Sequence, residues 1–369
     1  MKFDAVIIGG GVIGISIALE LQKRGLETVL IEKNHLLGDE VSSRNSGVIH
    51  SGIYYPNNSL KAQLTFKGNQ LLYQYAKDKQ VPYKKMGKII FGFDGDQGRL
   101  NKLFENGVRN GVKGLSLVDG DQINTLESNL DNTITCGILS KNTGIIDVPS
   151  FIQALADDYE KNGGLISKNS VMIGHKNSKD LHTTTIMTGN EIFEINSHLL
   201  ILAGGLNSYN IGKLIPGIKN CKQFRKLNFT KGHYYKIFGD KPFNHLIYPL
   251  PNTFGLGIHY TLDISGAVKF GPDNEFIDDL DYSFTNGARE KFVNSIRKYW
   301  PSIENYELHE DYVGIRPKIQ EKGSKFSDFS ILTKKDHGIE NMLFLQGIES
   351  PGLTCSLSLS EYIAKQLNL

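Results

Sequence analysis

The beginning of the chain carries a regular alternation of apolar and glycine-rich segments. Residues Phe3 to Ile8 form a short apolar run that leads into the glycine-rich segment Gly9 to Gly14. Apolar residues then recur at helical spacing from Val12 to Lys23. Residues Glu27 to Ile31 form the next predicted strand, and the acidic residue Glu32 stands at its end. This pattern predicts a strand, a glycine turn, a helix and a second parallel strand, which together form one βαβ unit.

The glycines of this unit have the spacing of a dinucleotide-binding turn. Gly9 permits a tight turn, Gly11 lets backbone amides approach a pyrophosphate, and Gly14 lets the helix lie close to the sheet. The helix N-terminus adds partial positive charge for phosphates. Glu32 can accept hydrogen bonds from ribose hydroxyls and would repel a 2′-phosphate. A glycine turn without a nucleotide is the alternative, and the motif alone does not separate FAD from NAD.

The segment after Glu32 favours FAD. An NAD enzyme would continue into further strand–helix repeats, whereas residues 38–52 form a loop rich in small and hydroxyl side chains. Such a loop can lay amides and hydroxyls along a flat heterocycle, and Arg44 can pair with a phosphate or carboxylate. An ordinary solvated loop is the alternative. Val48 and Ile49, next to His50, favour a partly buried segment instead.

The remaining pattern predicts alternating helices and strands without internal repeats. The expected helices are a long one capped by Ser59 and reaching Lys79, then 98–108, one between Pro149 and Gly163, one ending near Trp300, and 356–367. The expected strands are 88–93, 138–146, 165–173, 181–187, 192–195, 199–202, 311–318 and 342–345, and a β meander of 229–238, 245–250, 254–260 and 267–270.

Two of these elements end in glycine-containing loops. The fully apolar strand 199–202 runs into Ala203, Gly204 and Gly205, which indicates burial on both faces and close approach of backbone to another group. Residues 347–354 precede the last helix and present unpaired amides that can stabilise negative charge on a reduced flavin. A buried strand with a glycine turn and a simple packing helix are the respective alternatives.

Composition and charge restrict the class of protein. The chain has 369 residues, 40% of them apolar and 22% charged, which is typical of a globular enzyme. Its length exceeds what one core usually organises, so we expect two domains. Lysine and arginine total 41 against 39 acidic residues, for a net charge of +2. This balance gives no basic footprint for DNA or RNA.

Cysteines and the N-terminus add two further expectations. Cys136, Cys221 and Cys355 are far apart and odd in number, which excludes a disulfide framework and a paired zinc motif. The apolar run from Ala5 to Leu19 contains glycines and is followed by no cleavage pattern, so it does not read as a signal peptide. We therefore expect a cytoplasmic protein, with peripheral membrane contact left open.

Several segments, taken in order along the whole chain, resemble the L-2-hydroxyglutarate dehydrogenase/oxidase family, which belongs to the FAD-dependent oxidoreductases of the D-amino-acid-oxidase type. The similar segments are Gly9 to Gly14 with Glu32, Asn45 to Tyr55, Leu60 to Ala62, Tyr248 to Pro251, Gly255 to His259, Phe270 to Pro272 and Ser350 to Gly352. The chain differs at Ile348-Glu349, where the best-known branch carries Asn-Ala. Residues 314–318 are similar to a sister branch.

The resemblance implies an α/β protein in which a Rossmann-type FAD-binding domain is interleaved along the chain with an antiparallel β-sheet substrate domain. The expected FAD domain comprises residues 1–85, 146–213 and 326–369, and the substrate domain residues 86–145 and 214–325. FAD is expected to bind without a covalent bond. The expected FAD-binding residues are Gly9, Gly11, Gly14, Glu32, Lys33, Ser43, Arg44, Asn45, Ser46, Gly47, Val171, Ala203, Gly204, Gly347, Pro351, Gly352, Leu353 and Thr354.

The resemblance also implies oxidation of a small 2-hydroxy acid, similar to L-2-hydroxyglutarate, to the 2-oxo acid. Our hypothesis is hydride transfer from C2–H to flavin N5, with His50 as the base that removes the hydroxyl proton. Arg316 is the best candidate to bind a substrate carboxylate, since guanidinium binds carboxylate in a bidentate way. Tyr248, His259 and Lys269 are further candidates for substrate binding.

Several alternatives stay open at this point. His50 can instead be a structural histidine, Lys269 can form a surface salt bridge, and Cys355 can attach the flavin or lie buried as an apolar side chain. The same fold can oxidise an amino acid or an N-methyl amine, or it can hold FAD in a protein that only binds. The pattern does not reveal the electron acceptor, whether oxygen, a quinone or a carrier protein, nor the oligomeric state.

Overall fold

The computed structural model describes residues 1–178, 181–251, 257–320 and 326–369. In chain order the strands are β1 (Lys2–Ile8), β2 (Thr28–Ile31), β3 (Val48–Ile49), β4 (Tyr83–Lys84), β5 (Lys88–Phe93), β6 (Leu115–Asp119), β7 (Ile134–Ser140), β8 (Gly144–Ile146), β9 (Leu165–Ser167), β10 (Ser170–Ser178), β11 (Leu181–Thr188), β12 (Glu191–Leu202), β13 (Asn228–Ile237), β14 (Leu246–Pro249), β15 (Tyr260–Leu262), β16 (Val268–Phe270), β17 (Glu275–Ile277), β18 (His309–Lys318), β19 (Ser330–Leu332) and β20 (Met342–Gln346).

Six of the α-helices in these ranges correspond to predicted helices, whereas four short ones, of four to seven residues, were not predicted. In chain order the α-helices are α1 (Val12–Lys23), α2 (Leu60–Asp78), α3 (Gln97–Arg109), α4 (Gly120–Leu126), α5 (Val148–Lys161), α6 (Ser208–Lys213), α7 (Pro216–Lys219), α8 (Ala288–Arg297), α9 (Lys334–His337) and α10 (Gly352–Gln366). The predicted cap of α2 is confirmed, because the Ser59 hydroxyl accepts a hydrogen bond of 3.1 Å from the amide of Ala62. None of the described helices is long and apolar enough to cross a membrane.

The chain divides into two compact units, each built from separated segments. The first unit comprises Met1–Ser43, Val148–Phe229 and Arg316–Leu369, and the second Arg44–Asp147 and Thr230–Ile315. The domain boundaries stay a prediction, and these units differ from them at residues 44–85, at residues 214–229 and from Arg316 onward, which lies in the first unit. Residues 44–85 belong to the second unit, since β3 and β4 both pair with β8 there. Residues 214–229 belong to the first unit, where Ile215 and Ile218 pack in its core.

The first unit has a parallel sheet at its centre. Strands β9, β2, β1, β12 and β20 lie side by side in parallel register. Helix α1 contacts both α10 and α5, and Ala5 and Ile7 of β1 are fully buried. A strand segment with both faces buried requires an apolar side chain at every position, which explains the apolar run from Ala5 to Ile8, whereas Asp4 before it is exposed.

Strand β12 corrects two of the predicted strands, because 192–195 and 199–202 form one continuous element. Its first half alternates in exposure and pairs antiparallel with β11. Its second half, from Leu199 to Leu202, is buried at every position and pairs parallel with β1 and β20. The predicted strand 165–173 is also wrong. The chain leaves the parallel strand β9, turns at Asn169 with φ +52°, and begins the antiparallel strand β10.

The second unit has a mainly antiparallel sheet in the order β17-β13-β16-β15-β14-β5-β7-β6, with β18 next to β13. Strands β14 and β5 form a parallel pair within it. A cluster of aromatic rings fills the core, with Tyr260 edge-on to both Phe243 and Phe270 and Trp300 stacked on Phe270. The predicted meander is present only in part, because β14, β15 and β16 are consecutive neighbours whereas β13 pairs with β16 instead of β14. Residues 254–256 of its predicted third strand lie outside the described residues, and β15 begins at Tyr260.

Candidate active site

A cavity lies within the first unit, where the carboxyl ends of β1, β2 and β12 meet. Ligands of open α/β sheets bind at this edge of the sheet. Its lining comprises Ile8, Gly9, Gly11, Ile31, Glu32, Lys33, Asn34, Gly38, Asp39, Glu40, Val41, Ser42, Ser170, Val171, Met172, Ala203, Gly204, Gly205, Asn207 and Ile211. The cavity is therefore bounded by the glycine turn, the acid at the end of β2 and the glycines after β12.

Two glycines of the turn cannot be replaced by larger residues without a clash. Gly9 has φ +111°, and a Cβ atom there would lie 2.4 Å from the carbonyl oxygen of Ala203. A Cβ atom on Gly14 would lie 1.8 Å from the carbonyl oxygen of Gly9. The start of α1 therefore rests directly on the strand end. This packing brings the N-terminus of helix α1, with its partial positive charge, to the cavity, where it suits a pyrophosphate.

Glu32 is placed to bind a ribose. Its carboxylate is 7% exposed and accepts hydrogen bonds from the amides of Gly10 at 2.6 Å and Asn34 at 2.8 Å. Burial raises the pKa of Glu32, and the two amide hydrogen bonds oppose that rise. A carboxylate has about four acceptor positions, so capacity remains for hydroxyl groups in the cavity. The cradle of glycines and the acid together fit a dinucleotide such as FAD.

Part of the predicted FAD-binding set lines the cavity. These residues are Gly9, Gly11, Glu32, Lys33, Val171, Ala203 and Gly204. Sequence reasoning missed Ser42, whose hydroxyl accepts a hydrogen bond of 3.0 Å from the amide of Val12 in the first turn of α1. Ser43, which the sequence favoured, is exposed and donates to the carbonyl of Asp39 at 3.0 Å. Adjacent hydroxyls on a loop cannot be told apart without knowing which one faces the helix.

The predicted segment from Arg44 to Gly47 lies in the second unit. The guanidinium of Arg44 lies 4.7 Å from the ring centroid of Tyr282 and donates to the carbonyl of Val313 at 3.4 Å. The side-chain oxygen of Asn45 accepts from the amide of Gly47 at 2.8 Å, which closes a tight turn. These residues do not line the cavity of the first unit.

The predicted C-terminal set occupies the loop before α10 and its first turn. Gly347 has φ +66°, and α10 begins at Gly352, four residues before the predicted start. Thr354 is fully buried in that turn, and so is Cys355. The residues of this set do not line the cavity described above either. Their predicted contact with the flavin stays a prediction.

A cluster of cationic, imidazole and phenol groups lies in the second unit. Lys88, at the start of β5, is 1% exposed. Its ammonium nitrogen lies 4.7 Å from the ring centroid of Tyr54 and 4.7 Å from that of Tyr248. The ring of Tyr248 stacks in turn on His259, with centroids 3.6 Å apart and planes at 13°. Burial lowers the pKa of Lys88 to about 7, so its charge is sensitive to its surroundings near neutral pH.

The histidine proposed as base belongs electrostatically to this cluster. Burial, and then the charge of Lys88, lower the pKa of His50 to about 3. The backbone around it is held by Asn69, whose side-chain amide donates to the carbonyl of His50 at 2.9 Å. The imidazole is therefore neutral at physiological pH, so it can accept a proton, although it is a weak base while the nearby charge is uncompensated.

The other predicted substrate residues differ in how their charges are balanced. The ammonium of Lys269 lies 3.7 Å from a carboxylate oxygen of Asp263 and 3.5 Å from one of Asp311, so it already has two acidic partners. Arg316 lies on β18 within the first unit and is partly buried. Sequence reasoning missed Lys88, since a lysine at the beginning of an apolar run looks like an ordinary strand end.

Comparisons with known proteins show the family to which the chain belongs. Residues 4–366 match the family model described as FAD dependent oxidoreductase, which is the class that the nucleotide cavity and the two-unit fold define. A mitochondrial L-2-hydroxyglutarate dehydrogenase of Arabidopsis thaliana is 34% identical over 405 residues, covering 99% of this chain and 83% of that protein. The chain belongs to the L-2-hydroxyglutarate dehydrogenase family of FAD-dependent oxidoreductases, and FAD is its cofactor.

Two further relatives concern a phosphorylated substrate. A glycerol 3-phosphate dehydrogenase of Caloramator mitchellensis is 29% identical and covers 98% of this chain and 73% of that protein. The structure of a dithionite-reduced L-α-glycerophosphate oxidase of Mycoplasma pneumoniae with FAD bound has a TM-score of 0.88 at 24% identity, covering 100% of this chain and 95% of that one. This second likeness establishes the fold alone.

Proposed function

We propose that the protein oxidises a small 2-hydroxy acid, L-2-hydroxyglutarate or a close analogue, to the corresponding 2-oxo acid. The observation that carries this proposal is the buried cluster of His50, Lys88 and Tyr248, which combines a neutral imidazole with a cation. The relative from Arabidopsis thaliana supports the same substrate class by its name and its coverage of the chain.

Different residues of the chain would have different roles in this reaction. Gly9, Gly11 and Glu32 would hold the dinucleotide, and bound FAD would supply the acceptor for the hydride that leaves C2. The imidazole of His50 takes the proton of the C2 hydroxyl as the carbonyl forms, which is the role that a neutral histidine can fill. Arg316 remains our proposal for a substrate carboxylate because of its planar donor geometry.

Binding of an anionic substrate makes the imidazole of His50 a stronger base. Since Lys88 lowers the pKa of His50, any negative charge bound near the pair raises that pKa. The imidazole then accepts a proton more readily in the complex than in the free protein. A neutral alcohol would not produce this effect. The proposed substrate class and the electrostatics of the cluster are therefore consistent with each other.

Glycerol 3-phosphate is a second candidate, favoured by the relative from Caloramator mitchellensis. It also carries a secondary hydroxyl and a strong anion, so the same cluster could serve it. An amino acid or N-methyl amine is a weaker candidate, since the proteins of that kind are similar at no more than 18% identity, which speaks for the fold alone.

Anaerobic titration of the FAD-loaded protein separates these candidates. L-2-hydroxyglutarate, D-2-hydroxyglutarate, other 2-hydroxy acids, glycerol 3-phosphate and amino acids are added in turn, and flavin absorbance is followed. We expect bleaching by L-2-hydroxyglutarate or a related 2-hydroxy acid at the lowest concentrations. Bleaching by glycerol 3-phosphate or an amino acid alone would overturn the proposal, and absence of bleaching by every compound would argue for a binding role.

We also propose that the first unit binds FAD and that the second provides the substrate chemistry. A non-covalent flavin and a cytoplasmic location stay predictions of the sequence. Precipitation with acid and fractionation of cells would test them, the first by release of all yellow colour into the supernatant. The electron acceptor is open among oxygen, a quinone and a carrier protein, and each can be added to the reduced protein in turn.

A further inference from the structure

Lys88 differs from other lysines of the second unit in its charge balance. Lys231 is similarly buried, and its ammonium lies 2.5 Å from a carboxylate oxygen of Asp281. Lys269 has two carboxylates within salt-bridge distance. In the parts of the chain that the structure describes, the ammonium of Lys88 contacts the rings of Tyr54 and Tyr248 but no carboxylate. This buried ammonium therefore has no carboxylate partner among the residues that the structure describes.

Aromatic rings attract such a cation without neutralising it. Each ring face contributes an electrostatic attraction, and two faces at equal distance hold the ammonium in a defined position. The charge itself stays uncompensated, and burial of an unpaired charge is unfavourable. Met at this position would fit an apolar strand equally well. The arrangement therefore makes physical sense as a receptor for an anion that arrives from outside the chain.

We propose that the ammonium of Lys88 binds a carboxylate of the substrate and thereby places the substrate hydroxyl within reach of His50. The proposal rests on the proposed function, because it assumes an anionic substrate for this cluster. It names the residue that selects such a substrate, which sequence reasoning did not find. Lys88 is in this view a substrate-binding residue, and its effect on proton transfer acts through His50.

The protonation states of Lys88 and His50 support this assignment. In the free protein the charge of Lys88 opposes protonation of the imidazole. A carboxylate paired with Lys88 offsets this second cause of the lowered pKa, whereas burial, the larger cause, remains, so His50 takes the hydroxyl proton more readily when substrate is present. The imidazolium formed is then stabilised by the same carboxylate. The cluster therefore couples substrate binding to activation of the base.

The test measures binding of glutarate, which has both carboxylates of the proposed substrate but no hydroxyl to oxidise. Calorimetry on FAD-loaded wild type, Lys88→Met, Lys88→Arg and Lys231→Met gives the dissociation constants. Loss of a buried charge partner typically weakens binding by about 30-fold or more. We expect at least this loss for Lys88→Met, partial recovery for Lys88→Arg, and wild-type affinity for Lys231→Met, whose lysine already has an acidic partner.

A measurement on wild type covers the case in which Lys88→Met does not fold. Only the protonated lysine binds a carboxylate, so glutarate affinity should fall as the pH rises through about 7. His50 titrates below this range, whereas the pKa values of Tyr54 and Tyr248 are raised above it. His259, which stacks on Tyr248, is replaced by Asn in a parallel series to remove its contribution.

Three outcomes would overturn the assignment: unchanged glutarate affinity in Lys88→Met, affinity that does not vary with pH, or an equal loss in Lys231→Met. These outcomes are separable from failure of the proposed function. If 2-hydroxy acids bleach the wild-type flavin and glutarate binds Lys88→Met normally, the function stands and the role of Lys88 fails. If no 2-hydroxy acid bleaches the flavin, the proposed function itself fails.

Discussion

Replacing Lys88 by Met should make the protein more stable, although it should impair substrate binding. Lys88 is 1% exposed and lies on strand β5 between β14 and β7. Met has a similar length and no charge, so it can occupy the same space between Tyr54 and Tyr248. The substitution removes a buried ammonium and leaves no acidic partner behind among the described residues. This distinguishes Lys88 from a lysine that belongs to an ion pair.

The size of this gain in stability follows from the change in the proton affinity of Lys88 on folding. The pKa of Lys88 falls from 10.5 to about 7 on burial. Since a tenfold change in proton binding corresponds to about 1.4 kcal/mol, burial of the ammonium costs roughly 4 kcal/mol at pH 7. The two ring contacts return about 1–2 kcal/mol. We therefore expect Lys88→Met to raise the free energy of unfolding by about 2–3 kcal/mol at pH 7.

The stability difference between the wild type and Lys88→Met should depend on pH. Between pH 7 and 10.5 the unfolded lysine keeps its proton while the folded one releases it, so the unfolded state binds more protons. The stability of the wild type therefore rises with pH across this window. The advantage of Lys88→Met should be greatest at pH 7 and below, and it should shrink as the pH approaches 10.5.

The fluorescence of Trp300 can be used to follow unfolding. It is the only tryptophan of the chain, is 2% exposed, and packs in the core of the second unit. Urea unfolding followed by its fluorescence, at pH 7 and at about pH 9.5 with FAD fixed in excess, compares the wild type with Lys88→Met. Lys231→Met is the matched control and should be less stable than the wild type, because it removes the lysine of the ion pair with Asp281 and leaves that carboxylate with its hydrogen bonds from Ser283. A lower midpoint for Lys88→Met at pH 7, or a difference independent of pH, would refute the reasoning.

Three further substitutions test the remaining parts of the site. His50→Ala should slow flavin reduction by about 10²–10⁴-fold in stopped-flow measurements, and bleaching at a near-normal rate would show that His50 is not the base. Gly9→Ala should release FAD, measured by flavin fluorescence after gel filtration, since its φ is +111° and its Cβ would meet the carbonyl of Ala203; full retention of FAD would contradict the packing argument. Arg316→Lys should raise the apparent KM for the 2-hydroxy acid with FAD content unchanged, and an unaltered KM would make Arg316 structural.

The opening βαβ unit could be predicted almost to the residue, because its signals are local. The glycines, the helical period and Glu32 lie close together in sequence, and the structure places α1 at the predicted Val12–Lys23. Strand β12 was divided in two by the same reasoning. Its polar first half and apolar second half differ because they have different neighbours, β11 on one stretch and β20 on the other. A pattern within one strand does not reveal a change of partner.

The candidate site likewise depends on contacts between distant segments, which a local sequence pattern does not reveal. His50 stands in a distinctive segment, whereas Lys88 looked like the polar start of an apolar strand. Its importance depends on three non-local facts: Tyr54 comes from a preceding loop, Tyr248 from the neighbouring strand β14, and no described carboxylate reaches it. Ser42 is a smaller example, since its contact with the amide of Val12 singles it out from Ser43. Such properties arise from packing, so the sequence pattern alone cannot reveal them.

The two perturbed groups of the second unit lead to one conclusion about specificity. Lys88 and His50 oppose each other's positive charge, so the free protein does not readily hold a proton on both. While Lys88 keeps its proton, transfer of the substrate hydroxyl proton to His50 produces this doubly protonated state, and a bound anion lowers its free energy by offsetting the two charges. A carboxylate has this effect, whereas a neutral alcohol does not. The cluster should therefore discriminate against uncharged analogues in the rate of proton removal as well as in binding, and the dimethyl ester of L-2-hydroxyglutarate, which has no carboxylate, should show a lower limiting rate of flavin reduction at saturation.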